Sequence, residues 1–268
     1  MKHGNFILIL LIAFSMVSCE EKTYNELSGE GTLLKEIVED GEIVFIYTYN
    51  DANLVKEEKN KYYYTEHFYN NKDQLTQTDY YFDNSLAGNN SDVLQEAPDR
   101  TDWVTPENTE RSSYTTFEYS YSGLLRASTI HNPDNSNNQS NYEYNNELIE
   151  KNISYSDGQR SVMQVYFYDQ NNNLIKLEKY YYSSESEPIL SSTNEYFFDN
   201  KNNPYISFRA LMIPGEHTNK NNVIKEVYTI YSLDDGSVED VQTNEYSYNY
   251  NAKEFPVKRS DGIEYTYY

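Results

Sequence analysis

The stretch QVYFYDQNNNLIKLEKYYYS, at residues 164–183, decides the fold of this chain. It opens with an aromatic-rich alternating run, continues through a polar segment of Asp, Gln and Asn, and ends in a charged alternating run that starts at Leu174. β-Branched and aromatic residues favour strands, whereas Asp and Asn tolerate positive φ and bond their own backbone in tight turns. A helix would hold these turn formers in its interior. The stretch therefore predicts a β-hairpin.

Degraded copies of this hairpin recur along the chain. Each copy has aromatic residues at alternate positions, then a short polar turn, then an apolar residue. The copies begin at Tyr47, Phe68, Phe117, Tyr142, Tyr196 and Tyr246. Most successive copies start roughly 20–30 residues apart, which is typical of one repeated supersecondary element. Because a single hairpin is only marginally stable, the copies must pair edge to edge.

Many strands joined by short turns, with no crossover helices, predict an all-β fold: an antiparallel up-and-down meander of repeated hairpins. Several strands carry apolar residues on both faces, so we expect a barrel-like or strongly twisted single sheet, whose closure would remove vulnerable edges. The run SFRALMI at residues 207–213 departs from the two-residue period and predicts one short helix, which would plug one end of the sheet. Residues 238–250 are predicted to form one of the closing strands. Residues 32–268 then make up a single domain.

A polar stretch interrupts the repeats at residues 84–113. Uninterrupted loops of about thirty residues are usually functional or disordered. This one contains Trp103, the only tryptophan of the chain. Two alternatives remain: a disordered insertion with Trp103 packed back on the sheet, or a functional loop in which Trp103 contacts a ligand.

The chain is strongly acidic, with 21 Lys and Arg against 43 Asp and Glu and a net charge of −22. This charge disfavours nucleic acids and anionic membrane surfaces as partners. Solubility is one explanation of the acidity, and cation binding is the sharper alternative. A single cysteine excludes an intramolecular disulfide.

Residues 1–18 predict an export signal. Lys2 and His3 form a short basic start, and residues 6–17 form an apolar run that is shorter than a typical membrane span. This order of charge and hydrophobicity is typical of a signal peptide.

Ser18 and Cys19 follow the apolar run directly and resemble the lipobox of bacterial lipoproteins. The resemblance implies cleavage before Cys19, diacylglycerol on its sulfur and an acyl chain such as palmitate on its new amine. Several acyl chains on one residue anchor a protein stably, so the membrane is the expected partner of Cys19. Residues 19–31 would be the tether. The alternative is an ordinary secretory signal with an unmodified cysteine.

The sequence after the cysteine, Glu20-Glu21-Lys22, resembles the surface-export signals of Bacteroidota lipoproteins. This resemblance implies a lipid anchor in the bacterial outer membrane and exposure on the cell surface. Retention on the periplasmic side is the alternative.

The repeats themselves resemble two groups of proteins. Tyr-x-Tyr-Asp/Asn turns followed by Leu are similar to the Tyr-Asp repeats of the Rhs group. The run FFDNKNNPY at residues 197–205, NNVIKE at residues 221–226 and the end of the repeat at residues 248–258 resemble more narrowly a group of Bacteroidota lipoproteins of unknown function with a porin-like β-fold. This resemblance spans about residues 40–268. It implies a fold and an envelope location, and no activity or catalytic residue.

No catalytic or metal-binding motif stands out. His67, His131 and His217 are far apart in the sequence and lack an HExxH motif or a cysteine partner. No G-x-S-x-G motif or phosphate loop occurs, and acidic residues are too numerous for a glycosidase pair to be singled out. We therefore expect no metal, no cofactor, no catalytic residue and no enzymatic activity. A hydrolase whose carboxylates converge only in the fold is the least favoured alternative.

Tyr246, Tyr248 and Tyr250 alternate along one strand and so share one of its faces. Aromatic surface beside polar loops is the composition of sites where ligands stack. Together with Trp103, these tyrosines are the candidate ligand-binding residues. We expect a lipid-anchored envelope protein with a non-catalytic binding role for a glycan or protein ligand. The alternative is a structural or assembly component of the envelope.

Overall fold

The structure, a computed structural model, describes residues 32–82, 103–183, 187–211 and 213–268. The predicted signal peptide, the tether, Cys19 and most of the predicted loop insertion lie outside these residues. The described residues are all-β, in seventeen strands of one antiparallel sheet, with helix limited to short 3-10 turns. The predicted all-β meander is therefore confirmed. No helix among the described residues has the length and hydrophobicity needed to cross a membrane.

Each strand from β1 to β13 pairs antiparallel with the next strand along the chain. The strands are β1 (Leu34–Glu39), β2 (Glu42–Tyr49), β3 (Val55–Lys59), β4 (Tyr63–Tyr69), β5 (Leu75–Phe82), β6 (Ser113–Tyr119), β7 (Leu125–His131), β8 (Asn137–Asn145), β9 (Leu148–Ser156), β10 (Gln159–Tyr168), β11 (Leu174–Tyr181), β12 (Ile189–Phe198), β13 (Val223–Tyr231), β14 (Val238–Glu245), β15 (Tyr248–Tyr250), β16 (Pro256–Arg259) and β17 (Glu264–Tyr267).

The sheet is strongly twisted and is not closed. Strands β15, β16 and β17 pair in sequence, and β17 pairs with β1. No ladder among the described residues joins β14 to β15, which are separated by Tyr246 and Ser247. The prediction of one unbroken strand over residues 238–250 is therefore wrong. The two edge strands, β14 and β15, are consecutive in the chain, so the ends of the sheet meet at Tyr246 and Ser247.

One turn geometry explains the Asp- and Asn-rich repeats. In the turn at residues 50–54, the Asn50 N–H donates to the Leu54 carbonyl oxygen (3.0 Å), and the Asn50 Oδ1 accepts the Leu54 N–H (3.0 Å). The fourth residue, Asn53, has a φ of 59°, which Asn and Asp tolerate better than other side chains. The backbone bond and the positive φ recur in the turns at residues 70–74, 120–124, 132–136, 169–173 and 251–255.

Tyrosine hydroxyls link successive turns along one end of the sheet. Tyr69 precedes the turn at residues 70–74, and its Oη donates to the carbonyl oxygen of Val55, which follows the previous turn (2.7 Å). We call such bonds the tyrosine bridges, and this end of the sheet the turn end. The bridges are Tyr49 to Leu34, Tyr69 to Val55, Tyr119 to Leu75, Tyr168 to Ile149, Tyr248 to Val223 and Tyr267 to Pro256, with lengths of 2.6–2.8 Å.

An apolar residue follows several of these turns and belongs to the core. Val55, Leu75, Leu125 and Leu174 each follow a turn directly and are all at most 2% exposed. Two buried clusters form on one face of the sheet, which we call the inner face. The first contains Leu34, Ile37, Tyr47, Val55, Phe208 and Tyr265. The second contains Leu125, Tyr142, Ile149, Tyr166 and Leu174.

The long connection between β12 and β13, residues 199–222, packs against the inner face at the turn end. We call it the cap segment. It contains two 3-10 turns, Ile206–Leu211 and Glu216–Thr218, and the first of them confirms the short helix predicted near residues 207–213. Phe208 is buried in the first core cluster, with its ring centroid 5.0 Å from that of Tyr47. Ile213 packs against the second cluster. The cap segment therefore touches both clusters, as a plug would.

The described end of the predicted loop insertion, residues 103–112, packs against the sheet. Val104 is fully buried, and Arg111 forms an ion pair with the buried Asp79 of β5 (3.1 Å). The Arg111 guanidinium also lies 4.5 Å from the centroid of the Tyr114 ring. This part of the insertion is thus fixed to the sheet by an apolar residue, an ion pair and the hydrogen bonds of Ser112 to β5.

The tyrosine bridges should contribute measurably to stability. Tyr168→Phe removes the Oη alone and leaves the Ile149 carbonyl oxygen without its hydroxyl donor. We expect the free energy of unfolding to fall by about 1 kcal/mol, which lowers Tm by about 2–4 °C in a domain of this size. Thermal denaturation measures the change. Tyr121→Phe is the matched control, because the Tyr121 side chain is fully exposed, and its Tm should equal that of the wild type. If both variants melt with the wild type, the bridges do not stabilise the fold.

Candidate functional site: a cavity beneath the cap segment

A cavity of about 220 Å³ lies between the cap segment and the inner face. We call it the cap cavity. Its lining residues are Leu174, Tyr196, Gly215, Asn219, Val223, Glu226, Tyr246, Tyr248 and Arg259. Two of the four candidate ligand-binding residues, Tyr246 and Tyr248, are therefore brought together in one cavity.

The aromatic wall of the cavity is held by contacts on both sides. The Tyr248 Oη donates to the Val223 carbonyl oxygen (2.8 Å), which fixes the ring against β13. The Arg259 guanidinium lies 4.7 Å from the centroid of the Tyr246 ring. A cation over an aromatic face is attracted by the ring quadrupole. Both rings are half-buried, so their positions are set before any ligand arrives.

Two side chains of opposite charge line the cavity. The Arg259 Nε donates to both carboxylate oxygens of Asp261 (2.9 and 3.0 Å). Burial tends to lower the pKa of Arg259, but the hydrogen bonds to Asp261 outweigh it and the pKa is raised. The same hydrogen bonds lower the pKa of Asp261. The opposite charge belongs to Glu226, whose Oε1 accepts a hydrogen bond from the Asn194 Nδ2 (2.8 Å).

Buried asparagines attach the cap segment to the neighbouring hairpin. Asn173 is 1% exposed, and its Nδ2 donates to Asp169 and to the Asn221 Oδ1, both at 3.0 Å. Its Oδ1 accepts the backbone N–H groups of Lys220 (2.8 Å) and Asn221 (3.1 Å). All four hydrogen-bonding positions of this amide are thus satisfied. Asn219, which lines the cavity, accepts the Leu174 N–H through its Oδ1 (2.8 Å).

Tyr250 has a different role from the other two tyrosines of its strand. It does not line the cap cavity, and its Oη donates to the Asp199 Oδ2 at the start of the cap segment. Burial and the Asp199 carboxylate both raise the pKa of Tyr250. The other carboxylate oxygen, Asp199 Oδ1, accepts the backbone N–H of Asn222 (3.1 Å), at the end of the same segment. Tyr250 therefore helps to hold the two ends of the cap segment together.

Trp103 lies in the packed end of the loop insertion and is half-buried. Its carbonyl oxygen accepts the Asn108 Nδ2 (2.8 Å). It is not among the lining residues of the cap cavity. The structure therefore does not bring Trp103 together with Tyr246 and Tyr248.

Sequence reasoning missed Asn219, Glu226 and Arg259. Arg259 carries only a partial signal: counting outward from the turn at residues 251–255 places Lys258 opposite Tyr248, and a register shift between Asn249 and Tyr250 puts Arg259 there instead. Asn219 and Glu226 carry no such signal. Asn219 reaches the cavity only through the folding of the cap segment, and Glu226 only through the register of β12 with β13.

Two histidines lie between the sheet and the cap segment with unpaired ring nitrogens. His67 of β4 is buried, its Nδ1 is 3.0 Å from the Thr78 Oγ1, and its Nε2 has no hydrogen-bond partner. The Nε2 of His217, in the second 3-10 turn, is also buried and unpaired. Burial, and for His67 also the proximity of His217, lowers the pKa of each to about 4. Both imidazoles are thus neutral at pH 7.

The described residues contain no group of three or more His, Cys, Asp or Glu side chains that could hold a metal ion. Among their carboxyl groups, burial raises the pKa of Glu58 and of Glu66. These two do not converge, because the ladder of β3 and β4 pairs Glu58 with Thr65 and Glu57 with Glu66, so that they lie on opposite faces of the sheet.

A second groove, of about 420 Å³, lies at the end of the inner face opposite the cap segment. It is formed by β11, β12, β13 and the turn that follows β13, and its lining includes Lys179, Ser192, Tyr228 and Asp234. None of the candidate ligand-binding residues lines it. The cap cavity is therefore the site that the sequence pattern and the structure share.

The fold is similar to that of a porin-like protein from Bacteroides vulgatus, with 12% sequence identity and a TM-score of 0.53, over 88% of this chain and 99% of that one. A porin-like protein from Bacteroides uniformis matches with 13% identity and a TM-score of 0.39, over 89% of this chain and 98% of that one. No protein-family model matches the sequence, and no curated protein matches it. The predicted porin-like β-fold is thus confirmed, while lipoprotein status and Tyr-Asp repeats stay predictions.

Acid should weaken the attachment of the cap segment. The pKa values of His67 and His217 lie near 4, below the ordinary 6.5, so the unfolded chain takes up protons first as the pH falls. The free energy of unfolding is therefore highest above pH 6.5. It declines between pH 6.5 and 4 by on the order of 3 kcal/mol for each histidine. Urea unfolding measured from pH 8 to 4 tests this.

The variant for this test is His217→Gln, which should unfold with a weaker pH dependence in that window. His131→Gln is the control, because His131 is the last residue of β7 and lies at the end of the sheet opposite the turn end. Equal pH profiles for the wild type and His217→Gln would contradict the role given to the histidine pair.

Proposed function

We propose that this chain is a lipid-anchored envelope protein that binds a small polar ligand, a glycan unit, in the cap cavity without catalysing a reaction. The observation that carries this proposal is the composition of the cavity. Tyr196, Tyr246 and Tyr248 supply aromatic surface, while Glu226, Arg259 and Asn219 supply hydrogen-bonding groups. Aromatic walls with a few placed polar groups are typical of small-molecule sites.

The size of the cavity limits the ligand. At about 220 Å³ it is smaller than the roughly 300–1,000 Å³ of sites for drug-sized molecules. A single sugar residue, or the tip of a longer glycan, matches this volume. The CH face of a sugar ring would stack on the tyrosine rings, and its hydroxyls would bond to the charged side chains.

The charges in the cavity favour binding over hydrolysis. Glycoside hydrolysis generally needs two carboxyl groups on either side of the scissile bond. Among the lining residues, Glu226 is the only carboxylate, and its charged companion is Arg259. Arg259 is in turn held by Asp261, which does not line the cavity. This arrangement suits a fixed recognition site and supports the non-enzymatic role.

The envelope location rests on two independent supports. The first is the lipobox-like sequence that ends in Ser18 and Cys19. The second is the fold shared with a Bacteroides protein described as porin-like. In this proposal the lipid on Cys19 holds the chain at the outer membrane, and the acidic residues after Cys19 direct it to the cell surface.

A ligand that stacks in the cap cavity should depend on Tyr246. A glycan array with the protein from Thr32 onward identifies the ligand, and isothermal titration calorimetry measures its affinity. Tyr246→Ala removes one aromatic wall and should weaken binding about tenfold, which corresponds to about 1.4 kcal/mol. Tyr121→Ala, at a fully exposed position, should bind as the wild type does. The cavity is not the site if Tyr246→Ala binds with unchanged affinity, and the glycan assignment is wrong if no glycan binds.

Lipidation should depend on Cys19 alone. In cells fed a labelled fatty acid, the wild-type chain should carry the label and sediment with the outer membrane, whereas Cys19→Ala should be unlabelled and soluble. Antibody applied to intact cells should reach the wild type. Membrane retention of Cys19→Ala would refute the lipid anchor. Antibody access only after the outer membrane is breached would place the chain on the periplasmic side.

A further inference from the structure

The edge strand β14 is exposed along its whole length. It pairs with β13 on one side, and no ladder among the described residues pairs with its other side. All eight of its residues are exposed, including Val238 (57%) and Val241 (54%). No other strand in the described part of the chain has every residue exposed. Long unprotected edges are places where another strand can add.

The direction of the free backbone groups follows from the hydrogen bonds at the end of the strand. The Tyr246 N–H donates to the Ile224 carbonyl oxygen (2.8 Å), toward β13. In an antiparallel strand, successive residues point their backbone groups to opposite sides. Val241, Thr243 and Glu245 therefore point theirs away from β13. The same direction is shown by Ser247, which accepts the Ser260 N–H (2.8 Å) from the opposite side.

The side chains of this edge are acidic and apolar. The strand reads VEDVQTNE, so Glu239, Asp240 and Glu245 accompany the two valines, and no Lys or Arg is present. Within the described part of the chain, the only cation paired with these carboxylates is Lys225 of β13, 3.4 Å from the exposed Glu245. An added strand with basic residues among apolar ones would complement this edge, because opposite charges on neighbouring strands are favourable and like charges are not.

A second copy of this chain does not complement the edge. Pairing β14 with β14 would join two acidic strands that contain no Lys or Arg, in molecules that each carry a net charge of −22. The chain's own residues 20–31 are also acidic, with Glu20, Glu21, Glu26 and Glu30 against one lysine. The charge pattern thus favours a partner segment that carries basic residues.

We propose that the free edge of β14 binds an extended basic segment of a partner protein as an added β-strand. Main-chain hydrogen bonds to Val241, Thr243 and Glu245 would supply affinity, and the acidic side chains would supply specificity. This surface is separate from the lining of the cap cavity, so a protein and a glycan could be held at once. Such a partner would also give the chain a place in an envelope assembly.

The test uses two synthetic peptides of eight residues, one alternating Lys with Val and one alternating Glu with Val. Hydrogen exchange of the backbone amides is measured by NMR at 0.1 M salt. The basic peptide should slow exchange at Val241, Thr243 and Glu245 at least tenfold and leave the amides bonded to β13 unchanged. The acidic peptide should have no effect. Equal effects of both peptides, or none of the basic peptide, would overturn the proposal.

Two variants separate strand addition from general attraction of a cation to an acidic protein. Thr243→Pro removes an outward N–H but no bond to β13, and proline is tolerated where the N–H of an edge strand faces solvent. It keeps the net charge and should reduce peptide affinity at least tenfold. Glu239→Lys/Glu245→Lys keeps the backbone and should reverse the preference toward the acidic peptide. Peptide affinity that is unchanged in Thr243→Pro, or a preference that is unchanged in the double variant, would show that the edge is not the binding site.

Discussion

The hydrogen bond from a tyrosine hydroxyl to the carbonyl oxygen after the preceding turn is the constraint on which the rest of this structure depends. Consecutive strands such as β3 and β4 are connected by the chain only at the opposite end of the sheet. At the turn end they are joined by the hydrogen bond from the Tyr69 Oη to the Val55 carbonyl oxygen. The ring of each tyrosine brings a large apolar surface to the core, and its hydroxyl reaches the rim. The hydroxyl is protonated at neutral pH, and burial moves its ionisation further away by raising the pKa of Tyr119 to about 12. One residue type thus serves packing and register together at six of the 30 tyrosines.

The features that could be predicted from the sequence are those encoded locally. A turn such as residues 169–173 is formed by its own residues, since the Asp169 side chain accepts a backbone N–H of the turn and Asn172 adopts a positive φ. Strands and turns can therefore be predicted from the local sequence pattern. The short helix near Phe208 was visible as a break in the two-residue period. The break of a strand at Tyr246 and Ser247 was not visible, because both neighbouring segments alternate without interruption. It arises from pairing with different strands, β13 on one side and β16 on the other.

The candidate site also combines features that the local sequence encodes with features that depend on contacts between distant residues. Alternation predicted that Tyr246, Tyr248 and Tyr250 share a face, and two of them line one cavity. The third, Tyr250, donates a hydrogen bond to Asp199 at the start of the cap segment instead. No local sequence pattern predicts this contact. The cap segment itself depends on amide contacts such as Asn173 with Asn221, which join residues on either side of two strands. In a chain so rich in Asn, composition does not distinguish the buried structural amides from those of exposed turns.

The break after Glu245 has two consequences that belong together. The chain leaves the ladder with β13 and enters the ladder with β16, which places Tyr246 and Tyr248 beside Arg259 in the cap cavity. The same change of partner leaves β14 with one side unpaired. A ladder on the second side of β14 would have protected this edge. Since a strand added along β14 would end beside Ser247, and Ser247 bonds to Ser260 next to Arg259, the cavity and the free edge are adjacent surfaces produced by one feature of the fold.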